Sequence, residues 1–329
     1  MYCSSLYSFA EFDFGEDQTS MFLRQFHYVV ALEHESHFGR AAKRCNVSQP
    51  TLSSGIKQLE VELGIPIIMR HQKFQGFTEE GARVVEWSKR LLADRAAMVE
   101  ELAIMRDTMH GQLRIGAMPM SSPLLPIISK LFNGRHPMVQ LDIQFFGFDQ
   151  MILGLKNFEL DVGITYLDEQ QPLDEYETLP LFEKSLSLLL PDNDWLGKKK
   201  TASWEDAAQL PLCLLSPTMH ERKIMDEAFD QAGCRPRAQL ESNSILQLAF
   251  HVMCGDIATI VPQHFTRTNN VFHGTREILL NKPVVSQQIG LVYAKGTPIQ
   301  PMAKAIVKLM EETTSIEMLK KTFSTEAIQ

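Results

Sequence analysis

The sequence predicts a mainly α N-terminal domain, a long connecting helix and a larger α/β C-terminal domain. Three observations predict it. Apolar residues recur at helical spacing through residues 21–80, residues 79–109 then run without proline, and short strand-like and helix-like segments alternate from residue 111 onward. At 329 residues the chain exceeds one ordinary core, and 44% hydrophobic with 22% charged residues place it among globular proteins.

Residues 1–20 carry Glu11, Asp13, Glu16 and Asp17 with no basic residue, and are expected to be a disordered acidic extension or a mis-assigned start. They have no export signal, and no stretch of the chain nears the roughly 18–20 apolar residues of a spanning helix. Cys3, Cys45, Cys213, Cys234 and Cys254 are odd in number and widely spaced, which fits neither a disulfide framework nor a zinc site. The expectation is a cytoplasmic protein with no membrane association, no metal and no cofactor. Nucleophile-elbow, phosphate-loop and metal-ligand spacings do not occur, so an enzyme is not expected.

The formal charge of -8 is unevenly distributed. Residues 21–78 hold seven basic against four acidic residues, while residues 79–329 hold 25 against 32. A basic segment within an acidic chain is what phosphate contact confined to one small domain requires.

Within that segment, Leu23, Phe26, Val29, Val30 and Leu32 form the apolar stripe of a first helix. A second follows around His37–Cys45, where Ala41 and Ala42 permit close approach. Asn46-Val47 breaks the pattern. Ser48 then suits an N-cap, Pro50 suits a first turn, and Leu52, Ile56, Leu59 and Leu63 continue at helical spacing until Gly64 and Pro66.

Two short helices joined by a tight turn, the later one opening with Ser48, Gln49, Pro50, Thr51, Ser53 and Ser54, match a helix-turn-helix whose leading side chains reach base edges. Gln49 can pair bidentately with adenine, while Lys57, Arg40, Lys43 and Arg44 are placed for phosphates. Serine also caps helices generally, so the wing adds the second argument. Ile65–Arg70 and Phe74–Thr78 flank the polar turn His71-Gln72-Lys73, a hairpin with Arg70 and Lys73 at its tip.

The run Ser48-Gln49-Pro50-Thr51-Leu52-Ser53 through Ile56, Leu59, Glu60, Leu63 and Gly64, followed by Arg70, Phe77-Thr78 and Gly81, resembles the N-terminal signature of LysR-type transcriptional regulators. It departs from the family's usual pattern at Ile67-Ile68 and at Glu80. The resemblance implies a winged helix-turn-helix domain over residues 21–80, a linker and dimerisation helix over 81–110, and an α/β two-lobed periplasmic-binding-protein-like effector domain over 111–320. Residues 321–329 remain as a tail. The implied partners are double-stranded operator DNA, a small-molecule effector, a second copy or a dimer of dimers (a homotetramer), and RNA polymerase. Val84, Val85, Trp87, Leu91, Leu92, Met98, Val99 and Leu102 give the linker a stripe that a lone helix cannot bury.

In the C-terminal domain, strands are expected at 113–118, 140–146, 161–166, 185–190, 212–216, 239–242, 257–261 and 288–293, with helices between them, for example at 124–132, 224–232, 245–254 and 302–312. Gly116–Ser122, Asp161-Val162-Gly163-Ile164 and Gly255–Pro262 resemble landmarks of the LysR-type sensor. The resemblance implies a crossing between lobes near Tyr166 and a return near His264, making lobe I residues 111–166 with 265–320 and lobe II residues 167–264.

Ligands of open α/β sheets bind beyond strand carboxyl ends. Met118, Met120, Ser121 and Ser122 at one junction, Phe148 and Tyr166 after other first-lobe strands, and Ser216, Thr218, Met219 and Asn243 in the second lobe are therefore the candidate effector contacts. Ser121 and Ser122 can cap the following helix and offer their hydroxyls, together with backbone N–H groups, to an anion, and capping alone explains them equally well. The methionines suggest a partly apolar cleft for a small carboxylate, with core filling as their ordinary use. Some LysR-type relatives sense oxidants through a cysteine pair in the second lobe, which makes Cys213, Cys234 and Cys254 the alternative. Their spacings of 21 and 20 do not resemble that pair.

Overall fold

The computed structural model describes residues 23–69, 74–104, 109–167, 173–193, 195–263, 265–266, 272–295, 299–312 and 315. The expectations for residues 1–20, Arg70, Lys73, His264 and the 321–329 tail lie outside them. Contacts divide the chain into two compact units, Met1–Ala93 and Asp94–Gln329.

The first unit holds α1 (Leu23–Glu35), α2 (Phe38–Arg44), α3 (Gln49–Leu63) and the start of α4 (Glu79–Ile104). Ser48 caps α3 as its sequence predicts, its hydroxyl accepting from the Thr51 amide at 3.3 Å. Gly64 ends α3 at φ +68°, a left-handed conformation that favours glycine. His37 caps α2 by accepting from the Gly39 and Arg40 amides at 3.1 and 3.4 Å. Val29 and Leu32 of α1 meet Ala41 and Ala42 of α2 and Leu52, Ile56 and Leu59 of α3 in one buried cluster.

The wing is fastened to this core by a carboxylate. Glu60, on the inner face of α3, accepts from the amides of Ile67 at 2.8 Å and Ile68 at 3.2 Å, and Ile68 then pairs antiparallel with Phe77. Thr78 donates its hydroxyl to the Pro66 carbonyl at 2.6 Å and accepts from the Gly81 amide at 2.8 Å, so one side chain closes the wing and opens α4. A Cβ on Gly81 would lie 2.0 Å from the Ile67 carbonyl oxygen, which explains the glycine.

In the second unit, β1 (Gly111–Ala117) lies between parallel neighbours β2 (Val139–Phe145) and β3 (Val162–Tyr166). A 16-residue strand, β4 (Tyr176–Pro191), links this sheet to the next. β5 (Thr201–Ser203), β6 (Leu212–Leu215), β7 (Ala238–Ser242), β8 (Thr259–Pro262), β9 (Thr275–Asn281) and β10 (Ser286–Ala294) complete the strands. β10 runs antiparallel between β3 and β4, while the far end of β4 pairs with β8 and β9. Helices α5 (Leu125–Arg135), α6 (Phe148–Lys156), α7 (Trp204–Ala208), α8 (His220–Gln231), α9 (Ile245–Cys254) and α10 (Pro301–Glu311) accompany them.

The lobe boundaries differ from those expected. Leu181, Phe182 and Ile289 belong to the first-lobe core, whereas Leu186, Leu188, Ile278 and Leu280 belong to the second, with Val285 packed against it. The chain therefore crosses between Phe182 and Leu186 and returns between Val285 and Ile289, later than Tyr166 and His264 in both cases. Pro180 hid the first half of β4, because proline reads as a strand breaker. It is accommodated at a bulge, where the register jumps between Ile289–Phe182 and Gly290–Pro180. β5 and β9 also went unread, and α6 and α7 were given no bounds.

Replacing Glu60 by Leu strands two amides that the core covers, and is expected to destabilise the N-terminal unit by roughly 2 kcal/mol. Urea unfolding followed by circular dichroism checks this, and an unchanged midpoint would refute the anchoring role.

Candidate functional site

The face of α3 opposite Leu52, Ile56 and Leu59 presents Ser48, Gln49, Pro50, Thr51, Ser53, Ser54 and Lys57, all exposed. Burying every fourth residue or so leaves the intervening polar ones on a continuous outer face. Ser48 and Thr51 share a hydroxyl bond of 2.7 Å, which orients both at the helix start. Gly55 lets α3 approach α1, since a Cβ there would sit 2.7 Å from the Tyr28 ring.

Of the basic candidates, Lys43 and Lys57 are exposed and make no ion pair among the described residues. Arg40 and Arg44 are partly neutralised by Glu35, at 3.5 and 3.3 Å. Arg40 also donates to the Glu35 carbonyl at 2.6 Å.

A second polar concentration lies between the lobes of the C-terminal unit. A narrow cleft with room for roughly one water molecule is lined by Met120, Ser121, Phe182, Lys184, Gln263 and Ile289 among others. A smaller space beside it is lined by Met118, Met120, Ser121, Thr165 and Tyr166. Four expected residues, Met118, Met120, Ser121 and Tyr166, thus converge. Ser122 is half-buried, and Phe148 opens α6 rather than forming a loop, packing beside the Met151–Leu155–Leu160 cluster. Ser216, Thr218, Met219 and Asn243 line neither space; Thr218 and Asn243 are exposed and Met219 packs on the second-lobe core.

The two serines do not cap α5 as expected. Ser121 donates to the Met118 carbonyl at 2.6 Å and Ser122 to the Pro119 carbonyl, closing a short 3-10 turn, Pro119–Ser121. Their hydroxyls are drawn backward because α5 starts only at Leu125, without a side-chain cap.

The residue that sequence reasoning missed is Lys184. It is 5% exposed, donates to the Tyr166 hydroxyl at 2.7 Å, and holds its Nζ 4.7 Å from the Tyr166 ring centre. From α8, His220 meets the Tyr166 ring at 5.5 Å between centroids, and the buried Glu221 carboxylate attracts the ammonium. Burial pushes Lys184 down to about 7, with Glu221 opposing. Strand alternation was the available signal: Phe182, Lys184, Leu186 and Leu188 share parity, so a lysine stood in register with core residues.

A lysine depressed in the folded state binds fewer protons folded than unfolded between about 7 and its ordinary 10.5. Stability conferred through Lys184 therefore rises with pH across that window. Lys184→Met is expected to flatten the rise, so the difference between wild type and variant changes in favour of wild type from neutral to alkaline pH. Urea titrations over a pH series check this, and parallel curves would refute it.

With this geometry in place, comparison with known proteins is specific. Residues 23–82 match the family described as bacterial regulatory helix-turn-helix protein, lysR family, and residues 106–315 match the LysR substrate binding domain. A hydrogen peroxide-inducible genes activator of Dickeya chrysanthemi is 27% identical over 302 residues, covering 91% of this chain and 98% of the relative. A full-length OxyR variant from Pseudomonas aeruginosa superposes with a TM-score of 0.69 at 27% identity, covering 91% and 95% of the two chains. CbnR in complex with its target DNA shares the fold at a TM-score of 0.62, with 20% identity and coverage of 88% and 99%. Helix-turn-helix and substrate-binding matches together span most of the sequence, and the chain belongs to the LysR family of DNA-binding transcriptional regulators.

Proposed function

We propose that this chain reads operator DNA through the exposed start of α3 and reports a small ligand held between its C-terminal lobes. The observation that carries the DNA reading is the uninterrupted outer face from Ser48 to Lys57 set against a fully buried inner one. Gln49, Thr51, Ser53 and Ser54 are the base-reading candidates, with Ser48 and Pro50 setting the helix start. Lys43 and Lys57 contact phosphates, joined by Arg40, Arg70 and Lys73.

The ligand reading rests on Met118, Met120, Ser121 and Tyr166 around the cleft, with Ser122, Phe148, Ser216, Thr218, Met219 and Asn243 reached only on lobe movement. A small carboxylate remains the preferred effector. Two copies pair through α4, whose Trp87, Leu91, Met98, Val99 and Leu102 are exposed, and so present two reading heads to an operator with related half-sites. Such a chain regulates RNA polymerase access and performs no catalysis.

Oxidant sensing is favoured by the names of several relatives, which are hydrogen peroxide-inducible genes activators. Two of the three second-lobe thiols argue otherwise, Cys254 being exposed. Cys213 is fully buried in β6 and burial pushes it up to about 11, and Cys234 is also raised by burial. A protonated thiol is a poor nucleophile toward peroxide. Hydrogen peroxide is therefore expected to leave the DNA footprint unchanged, and a peroxide-dependent footprint lost on replacing Cys213, Cys234 and Cys254 by Ser would establish the redox reading instead.

On selected operator DNA, Gln49→Ala is expected to relax preference at one base position. Lys57→Ala should weaken binding to all sequences and lower the slope of log affinity against log salt by about one. Identical effects of the two substitutions on specificity would contradict these roles.

A further inference from the structure

We propose that Lys184 is a reactive amine that captures a small carbonyl compound, an aldehyde or a 2-oxo acid, as a reversible imine in the cleft between the lobes. The inference deepens the ligand-sensing reading and rests on it for its regulatory meaning, though not for its chemistry.

Four observations converge on this side chain. Lys184 lines the cleft between the lobes, which holds roughly one water molecule and has to widen to admit a ligand. Its Nζ lies 2.7 Å from the Tyr166 hydroxyl, a group able both to accept and to return a proton. Its burial leaves a large fraction of free amine at neutral pH, where an ordinary surface lysine holds almost none. Finally, Glu221 is buried on the opposing α8, and its Oε1 has no hydrogen-bond partner among the described residues.

Glu221 opposes an anionic adduct such as a carbamate, while an imine can be held either neutral or protonated. Glu221 and the π face of Tyr166 both favour a positive nitrogen at this position. An iminium keeps that charge, an acylated amine removes it, and a carbamate reverses it. Met120, Phe182 and Ile289 on the walls favour a short apolar substituent on the carbonyl carbon.

The step balances without an oxidant or reductant. The Nζ lone pair bonds to the carbonyl carbon, and the carbonyl π pair moves to oxygen, which takes a proton from Tyr166 while the amine returns one to the phenolate. The resulting carbinolamine loses its hydroxyl, protonated through the same phenol, as water, leaving C=N at Nζ. Hydrolysis reverses the sequence. The adduct displaces the Lys184–Tyr166 bond, and Tyr166 is the residue that meets His220 across the lobes.

The test uses the full chain at neutral pH with glyoxylate and, separately, propanal as probes, each with cyanoborohydride to fix the imine, followed by proteolysis and mass spectrometry. Reductive labelling at Lys184 is expected to run on the order of tenfold faster than at the exposed Lys200 and Lys282. It should slow severalfold in Tyr166→Phe and vanish at that position in Lys184→Arg, with circular dichroism verifying both folds. Labelling spread evenly over the lysines, or a Lys184 left unlabelled in the wild type, overturns the proposal, whatever the variants do. A thermal shift caused by propanoate, which has no electrophilic aldehyde or ketone carbon, alongside an unlabelled Lys184 would overturn the imine and leave ligand sensing standing.

Discussion

The C-terminal unit depends on one strand serving two sheets. β4 pairs with β10 along its first half and with β8 and β9 along its second, so the register of either lobe is fixed by the same covalent backbone. At the changeover, between Phe182 and Leu186, alternation forces one side chain inward where neither core has closed. That side chain is Lys184. An ammonium there costs heavily in desolvation, which Tyr166 and Glu221 only partly offset. The site is consequently an incompletely compensated polar point, and it lies where the lobes meet.

In the N-terminal unit the buried polar groups at the wing junction are used to fix shape. Glu60, Thr78 and Gly81 belong to the sequence signature of the family resemblance, yet none presents itself to solvent as a DNA contact. Glu60 pins the wing, Thr78 splices it to α4, and Gly81 makes room for the Ile67 carbonyl. The signature is thus half scaffold and half reading surface. The scaffold half holds the polar face of α3 outward by clamping its apolar face, and exposure of Gln49 follows from burial of Leu52 and Ile56.

This division explains how much the sequence disclosed. Helices α1 to α4 were legible because their stripes are long and their caps are local, Ser48 and Gly64 marking α3 at both ends. β9 was not, since Thr275-Arg276-Glu277 puts charge into a strand whose Arg276 donates through its terminal nitrogens to distant carbonyls of Gly197 and Asn193. The first half of β4 was concealed by Pro180, and α7 by its length of five residues. The cleft was legible only in part. Met118 and Tyr166 follow from the rule that ligands gather at strand ends, whereas Lys184 lies mid-strand and is brought there by long-range pairing with β10. Ser121 and Ser122 misled for a local reason, their hydroxyls having carbonyl partners three residues back that a linear reading cannot rank against a cap.

Coupling between ligand and DNA requires an element with two arrangements that the ligand distinguishes. A change in lobe placement around the cleft would be such an element, because Tyr166 comes from the first lobe and His220 and Glu221 from the second, with Lys184 on the strand that crosses between them. Any ligand that changes the charge or hydrogen bonding of Lys184 alters the balance of a pair that exists only when the lobes face each other. Burial amplifies this effect, since the same charge on a solvated lysine would be screened. A polar cluster of marginal stability at the lobe junction is therefore better suited to switching than a fully satisfied one, and the unpaired Glu221 oxygen marks where the balance is poised.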